Sequence, residues 1–322
     1  MKDNFLPIDQ ITKANFTENA LDLFYFQYEN VKVYGEYCRY LGVTTPKNLK
    51  EIPFLPIQFF KSHKILAANC EVQKIFKSSG TTTSNRSEHY IASRALYEQS
   101  FLKTFSSQIV NPEEAIIVAL LPNYLEQGDS SLVYMVDSLI KLSDHELSGF
   151  YLDDLTKINE LINKAKQVDR KIVIFGVSFA LLDLAEKNIN LSETIIIETG
   201  GMKGRRKEII RSELHSILVK GLNVDCIYSE YGMTELLSQA YTDGSEFFDS
   251  PAWMKVMIRD INDPLNYRPD RKTGGVNIID LANRYSCSFI ATDDLGVIHN
   301  ERFKILGRFD QSDIRGCNLL VN

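Results

Sequence analysis

Residues 194–201 read TIIIETGG, a short apolar run that ends in polar residues and glycines. Residues 194–198 predict a buried β-strand, because the run is short and rich in β-branched side chains. A helical pattern follows at 206–219, and another strand is predicted at 224–228. Strand, glycine-containing turn and helix in this order indicate parallel strands in an α/β fold.

The same alternation extends toward the N-terminus of the chain. Further strands are predicted at 115–121 and 171–175, and further helices at 94–106, 130–142 and 179–187. We therefore predict an α/β fold with mostly parallel sheets covered by helices on both faces. Polar, glycine-containing segments follow several strands, and ligands bind beyond the carboxyl ends of parallel strands.

The pattern changes after Asp249. Short strands separated by turns are predicted at 253–260, 275–280 and 288–292. They indicate a smaller antiparallel β subdomain toward the C-terminus. Two domains are predicted. Domain 1–249 is an α/β core that begins with a helical segment, indicated by aromatic residues at helical spacing in 14–42. Domain 250–322 is a β-rich subdomain with the C-terminal tail.

Composition excludes several classes of protein. The 322 residues are 44% hydrophobic and 24% charged, values that are typical of a soluble globular chain. The net charge of −6 argues against a nucleic-acid-binding protein. The apolar runs are too short for a membrane span, and the polar N-terminus does not resemble a signal peptide. The five cysteines are scattered and lack CxxC spacing, so they predict neither disulfides nor a zinc site, and they favour a cytoplasmic location. They are Cys38, Cys70, Cys226, Cys287 and Cys317.

A hydroxyl-rich segment at 78–84, SSGTTTS, follows a short strand predicted at 72–76. Backbone N–H groups approach an anion closely where no side chain intervenes, and a guanidinium matches phosphate geometry. The segment therefore predicts a phosphate-binding loop, although a polar surface turn is an open alternative. Its candidate residues are Ser78, Ser79, Gly80, Thr81, Thr82 and Arg86.

Three further motifs follow in order. They are YGMTE at 231–235, TDDLG at 292–296, and GRFD at 307–310 leading to DIRG at 313–316. Together with SSGTT they resemble the motif series of the adenylate-forming superfamily, which includes the acyl-CoA synthetases. Superfamily members continue into a mobile domain with a catalytic lysine, whereas this sequence stops at Asn322. With a cysteine after Gly316, it is most similar to the LuxE-type acyl-protein synthetases.

The resemblance implies an ATP-dependent enzyme that uses Mg²⁺ to activate a carboxylic acid, expected to be a fatty acid, as an acyl-adenylate. The acyl group would pass to a cysteine of the protein and then to a partner that resembles acyl-CoA reductases. Two alternatives remain open. One is an acyl- or aryl-CoA ligase similar to the phenylacetate–CoA ligases. The other is a nucleotide-binding subunit of a reductase complex without catalytic activity.

The resemblance also implies roles for single residues. Thr234, Glu235 and Cys317 are the expected catalytic residues, with Glu235 also the Mg²⁺ ligand and Cys317 the acyl carrier. Asp294 is expected to bind the ribose hydroxyls, and Arg308 the ribose or a phosphate. Ordinary structural roles compete with these. Thr234 and Glu235 could start a helix, Asp294 could lie in a turn, and Cys317 could be a buried thiol.

The remaining candidates concern the adenine and the acid. Tyr231 and Gly232 are expected beside the adenine, as are Gly200 and Gly201, which resemble the family's Gly-Gly loop. The walls of the acid pocket are expected from 121–124, 176–179 and 232–233. The chain departs from the superfamily pattern at Thr83 and Asp293, where many members have glycine, and it lacks the lysine of the mobile domain.

Overall fold

The computed structural model describes residues 5–79, 86–121, 129–152, 157–187, 189–200 and 209–309. The α-helices are α1 (Phe16–Asn30), α2 (Lys32–Tyr40), α3 (Phe59–Ser62), α4 (Arg94–Gln108), α5 (Ser131–Ser143), α6 (Ile158–Ala165), α7 (Ser178–Ala185) and α8 (Arg211–Leu222). The strands are β1 (Leu55–Pro56), β2 (Lys74–Lys77), β3 (Glu88–Ile91), β4 (Ala115–Leu120), β5 (Gly149–Phe150), β6 (Lys171–Val177), β7 (Thr194–Thr199), β8 (Tyr228–Tyr231), β9 (Ala240–Thr242), β10 (Phe248–Asp249), β11 (Met254–Arg259), β12 (Gly274–Asp280), β13 (Phe289–His299) and β14 (Arg302–Arg308).

The chain divides into two compact units. The first unit comprises 1–74, 82–92 and 249–322, and the second unit comprises 75–81 and 93–248. The chain passes from the second unit to the first between Phe248 and Asp249, and the N-terminal helices α1 and α2 belong to the first unit. The division into domains 1–249 and 250–322 stays a prediction.

The second unit contains the parallel sheet. Its strands follow the order β9-β8-β7-β6-β4-β5. The pairs from β5 to β8 are parallel, and β9 is antiparallel to β8. All six residues of β4 are buried, as expected for a strand covered on both faces. The predicted α/β fold is confirmed.

Helices pack on this sheet through apolar side chains. Helix α5 packs on β4, and α7 packs on β6 and β7. Phe105 of α4 stacks on Phe175 of β6 with ring centroids 5.7 Å apart. Burial of each of these side chains contributes about 2–3 kcal/mol. The hydroxyl of Ser93 caps α4 by accepting a hydrogen bond from Leu96 N at 3.2 Å.

The first unit contains the antiparallel sheet β11-β12-β13-β14, with β1 parallel to β13. The predicted antiparallel subdomain is therefore confirmed. Helices α1 and α2 join it through Phe24 and Tyr34, whose rings lie 6.4 and 5.8 Å from Phe289 of β13. The buried Gln27 Nε2 donates to the carbonyl oxygen of Asn283 at 2.9 Å. These contacts explain why the N-terminal helices group with distant C-terminal strands.

Two predicted boundaries differ from the structure. The strand expected at 224–228 begins only at Tyr228, and α8 ends at Leu222, followed by Asn223 in the left-handed region with a φ of 54°. Strand β13 continues to His299, and β14, which was not predicted, pairs with it. The turn between them is formed by Asn300 and Glu301, both with positive φ. It lacks the glycine that usually marks such a turn in a sequence.

Candidate functional site

The motif at 231–235 lies directly after β8 in the second unit. Thr234 and Glu235 lie in a turn, in which Leu236 N donates to the carbonyl oxygen of Met233 at 3.1 Å. The alternative in which these two residues start a helix is therefore wrong. Glu235 is only 5% exposed, so its carboxylate is fixed in a largely dry environment at the carboxyl end of a parallel strand.

Tyr231 is the last residue of β8, where it pairs with Ala240 of β9. It is buried, and its ring lies 5.7 Å from that of Phe248 at an angle of 56°. Aromatic packing thus holds one face of this end of the sheet. The contact of Tyr231 with adenine stays a prediction.

Two glutamates that sequence reasoning missed occupy the same end of the sheet. Glu198 of β7 pairs with Ser229 of β8, and Thr199 pairs with Glu230, so each strand brings one carboxyl group. Thr199 Oγ1 donates to Glu230 Oε2 at 2.5 Å. Desolvation raises the pKa of Glu230 to about 7, the Thr199 hydrogen bond opposes this, and the Glu198 charge adds to it. The available signal was the position of both glutamates at the ends of predicted strands.

The Glu198 carboxyl lies within a hydroxyl cluster. Ser178 Oγ, at the start of α7, lies 2.6 Å from Glu198 Oε1, and Ser229 Oγ donates to Oε2 at 3.4 Å. Burial raises the pKa of Glu198, and these hydroxyls partly offset it. Ser229 Oγ also lies 3.2 Å from His215 Nε2, and burial lowers the pKa of His215 to about 4. The imidazole is therefore neutral at physiological pH.

Two predicted glycines have definite structural reasons at this end of the sheet. A Cβ on Gly232 would lie 2.2 Å from Glu230 Oε1, so any larger residue here would require the carboxyl group to shift. Gly200 follows β7 with a φ of 71°, a region that favours glycine. Its carbonyl oxygen lies 2.7 Å from Ser178 Oγ.

The hydroxyl-rich segment is only partly described. Ser78 is half-buried and Ser79 is exposed, directly after β2 in the second unit. Lys77 N donates to the carbonyl oxygen of Asp129 at 2.7 Å, which anchors the end of that strand. Arg86 is half-buried and precedes β3 in the first unit. The other candidates of the segment, Gly80, Thr81 and Thr82, lie outside the described residues. The same holds for two candidates from elsewhere in the chain, Gly201 and Cys317.

Asp294 and Arg308, in the first unit, are brought together by the structure. They are cross-strand partners in β13 and β14, and Arg308 Nε donates to Asp294 Oδ1 at 3.2 Å. The Asp294 side chain is 8% exposed, whereas that of Arg308 is 73% exposed. A fixed carboxylate beside a solvent-facing guanidinium can accept hydrogen bonds from a diol and attract a phosphate.

Asp293, which stands where many superfamily members have glycine, has a defined partner in the structure. Its Oδ1 accepts a hydrogen bond from Gln58 Nε2 at 2.5 Å. Asp293 and Thr292 line a cavity of about 570 Å³ in the first unit, between the segment 42–58 and strands β11 to β13. The cavity has the size of small-ligand pockets, and it adjoins the segment that carries Asp294.

The described part of the chain offers no preformed metal cage. Within the ranges given above, no cluster of three or more histidine, cysteine, aspartate or glutamate side chains is arranged to hold an ion. A single carboxylate such as Glu235 still fits Mg²⁺ delivered with ATP, because this ion is often held by one or two carboxylates and the substrate phosphates. None of the helices in these ranges is long and apolar enough to cross a membrane.

Comparison with protein families decides the classification. The model of the family described as "Acyl-protein synthetase, LuxE" matches residues 129–322, more than half of the chain. The chain belongs to the LuxE acyl-protein synthetase family. No curated protein matches this LuxE-family chain significantly.

Several solved structures share the fold of this LuxE-family chain. ATP-bound MatB from Rhodopseudomonas palustris aligns with a TM-score of 0.56 and 17% identity, covering 74% of this chain and 48% of MatB. An open conformation of 2-hydroxyisobutyryl-CoA ligase with 2-HIB-AMP and CoA aligns with a TM-score of 0.66 and 12% identity, covering 97% and 76%. The chain thus spans about half the length of MatB. At these identities the likeness concerns the fold alone.

Proposed function

We propose that this chain uses ATP to activate a carboxylic acid as an acyl-adenylate and then transfers the acyl group to a cysteine thiol. The observation that carries the proposal is the position of the 231–235 motif. It lies at the carboxyl end of parallel strand β8, with the Glu235 carboxylate buried in a turn. This is where ligands bind in parallel α/β sheets. Membership of the LuxE family supports the same function.

In the first half-reaction, a carboxylate oxygen of the acid attacks the α-phosphorus of ATP. A bond from acyl oxygen to phosphorus forms, the bond between the α-phosphorus and the bridging oxygen breaks, and pyrophosphate leaves. Two anions must be held together in this step, so cations and hydrogen-bond donors carry much of the catalysis. We assign Thr234 as a donor to the α-phosphate and Glu235 as the ligand of Mg²⁺, which would neutralise phosphate charge.

Each part of the nucleotide is assigned to residues named above. Ser78 to Thr82 and Arg86 would bind phosphate, while Asp294 and Arg308 would bind ribose. The adenine would lie beside Tyr231 and the glycines Gly200, Gly201 and Gly232. The acid is proposed to be a fatty acid, with its chain beside the apolar residues at 176–179, of which Val177 and Phe179 are buried.

In the second half-reaction, the Cys317 thiolate would attack the acyl carbonyl. A carbon–sulfur bond forms, the bond from the acyl carbon to the AMP oxygen breaks, and AMP leaves. A thioester stores the acyl group in a form that a partner can accept, and a reductase of acyl-CoA type is the proposed partner.

Mass spectrometry tests both half-reactions. The purified chain is incubated with ATP, Mg²⁺ and a mixture of fatty acids, and both the small molecules and the intact protein are analysed. We expect acyl-AMP in the small-molecule fraction and a hydroxylamine-sensitive acyl adduct on the protein. Acyl-AMP without the adduct, together with acyl-CoA when coenzyme A is added, would instead make the chain an acyl-CoA ligase. Absence of acyl-AMP from a chain that binds ATP would contradict the function.

A further inference from the structure

The strand that carries Asp294 departs from regular pairing at that residue. Gly275 of β12 pairs with Leu295 of β13, but Asn277 pairs with Ala291. The three residues 292–294 therefore lie opposite the single residue Val276. This mismatch is a bulge in β13. Bulges re-aim side chains and leave backbone groups without ladder partners. The direction of the Asp294 carboxylate therefore depends on what holds this bulge.

The guanidinium of Arg259, the last residue of β11, spans the bulge. Its Nη1 donates to the carbonyl oxygen of Val276 at 2.7 Å and to Asn277 Oδ1 at 2.8 Å. Its Nη2 donates to the carbonyl oxygen of Thr292 at 2.6 Å. Arg259 therefore links β12 to β13 where the ladder is interrupted. Its planar fork binds all three oxygens at once.

The surroundings hold the Arg259 guanidinium in place. A Cβ on Gly275 would lie 2.5 Å from Arg259 Cζ, so the group lies directly against the backbone of β12. On another side, Cζ is 5.6 Å from the ring centroid of Phe309. Phe309 N in turn donates to the carbonyl oxygen of Asp293 at 2.7 Å. The guanidinium thus contacts both the bulge and the residue that follows β14.

Electrostatics and side-chain hydrogen bonds support the same arrangement. Burial lowers the pKa of Arg259, and the charges of Asp293 and Asp294 oppose this change. Within the bulge, Asp294 N donates to Thr292 Oγ1 at 3.1 Å, and Thr292 Oγ1 donates to the carbonyl oxygen of Val276 at 3.0 Å. The residue that Arg259 binds is therefore also the residue that orients Asp294.

We propose that Arg259 is a positioning residue that holds the bulge at 292–294 and thereby directs the Asp294 carboxylate toward the ribose. This inference rests on the proposed function, because it assigns the ribose contact to Asp294. Lysine cannot replace Arg259 in this role, since a single ammonium group on a flexible stem does not reproduce a fork of three hydrogen bonds in one plane.

The test measures ATP affinity by calorimetry in Arg259→Lys, Asp294→Asn and the double variant. We expect Arg259→Lys to weaken ATP binding about tenfold, as expected for loss of an orienting hydrogen bond. In the Asp294→Asn background the same substitution should change affinity less than about twofold, because its effect passes through Asp294. Arg268→Lys is the matched control. The Arg268 side chain is 40% exposed, and its Nε lies 3.1 Å from Asp260 Oδ2 rather than at the bulge. This variant should bind ATP like the wild type.

A merely structural role for Arg259 would weaken ATP binding equally in both backgrounds, and that result would overturn the inference. Unchanged affinity in Arg259→Lys would overturn it too. If that variant does not fold, Gly275→Ala displaces the same guanidinium and should show the same dependence on Asp294. An effect of Asp294→Asn without an effect of Arg259 removes only this inference. If Asp294→Asn itself leaves ATP affinity unchanged, the proposed ribose contact fails as well.

Discussion

Thr199 Oγ1 donates a hydrogen bond to Glu230 Oε2 at 2.5 Å and so joins the carboxyl ends of the neighbouring parallel strands β7 and β8. The bond satisfies one oxygen of a desolvated carboxyl group whose pKa is about 7. Since Glu230 directly precedes the 231–235 motif, its protonation state affects the part of the sheet that we assign to adenylation.

The pKa of Glu230 predicts a pH-dependent stability. It is about 7 in the folded chain against the ordinary value of 4.5. Between these two pH values the folded chain keeps a proton on Glu230 that the unfolded chain has lost. The stabilising contribution is therefore complete below pH 4.5 and is lost as the pH rises to 7. Glu230→Gln should remove this loss. The free energy of unfolding of the variant, relative to that of the wild type, should therefore rise by about 3 kcal/mol between pH 4.5 and pH 8. Urea unfolding at a series of pH values in this range measures both free energies.

The matched control for this experiment is Glu213→Gln, on an exposed position of α8. It should leave the pH profile of the free energy of unfolding parallel to that of the wild type. Parallel profiles for Glu230→Gln would contradict the assignment.

Gly232→Ala should destabilise the fold by about 1–3 kcal/mol, as overpacking usually does. The added Cβ would lie 2.2 Å from Glu230 Oε1, so the buried carboxyl group that Thr199 binds must shift. Thermal unfolding measures the loss, and Gly149→Ala, whose Cβ would meet Tyr151 at 3.4 Å, is the tolerated control. In a Glu230→Ala background the Gly232→Ala change should become nearly neutral. An undiminished cost there would show that another contact is responsible.

Arg308→Met should separate stability from nucleotide binding. The Arg308 side chain is 73% exposed, so its pair with Asp294 contributes less than about 1 kcal/mol to folding. ATP affinity should nevertheless fall several-fold, because Arg308 is proposed to contact ribose or phosphate. Calorimetry and thermal unfolding give the two quantities. Arg271→Met, with a 72% exposed side chain in the same unit, is the control. Equal ATP affinities in the two variants would remove Arg308 from the site.

Cys317→Ser should retain acyl-AMP formation and lose the stable acyl adduct. A serine alkoxide is far harder to form than a thiolate near neutral pH, and an ester would resist neutral hydroxylamine. Labelling with radioactive fatty acid, followed by hydroxylamine treatment, measures the adduct. Cys70→Ser is the control and should label like the wild type. Undiminished labelling of Cys317→Ser would exclude this cysteine and favour transfer to coenzyme A.

The parallel sheet was predictable because its strands are short apolar runs, such as the one at 115–121, and local patterns determine them. Contacts between distant segments were not predictable. The packing of α1 and α2 on Phe289 joins residues more than 250 positions apart, and no local pattern encodes it. The hairpin of β13 and β14 was missed because its turn, Asn300-Glu301, lacks glycine.

The candidate site divides in the same way. Motif order pointed to Asp294 and Arg308 separately, but their direct hydrogen bond required the missed hairpin. Glu198 and Glu230 were not singled out as site residues, although Glu198 lies in the quoted run at 194–201 and both stand at strand ends. Arg259 acts through a bulge, and a bulge depends on the pairing of two strands rather than on one segment.

The most direct test of the central claim is acid-dependent exchange of labelled pyrophosphate into ATP. The wild-type chain, with Mg²⁺ and a panel of carboxylic acids, should catalyse exchange only when a suitable acid is present. Glu235→Gln should reduce the exchange to background with an unchanged unfolding temperature, because it removes the charge of a hard metal ligand at nearly constant volume. Glu246→Gln, at an exposed position, should retain full exchange.

We expect exchange that requires ATP, Mg²⁺, acid and Glu235 together. Absence of exchange with every acid, in a chain that still binds ATP, would contradict adenylation and indicate a nucleotide-binding subunit without catalytic activity.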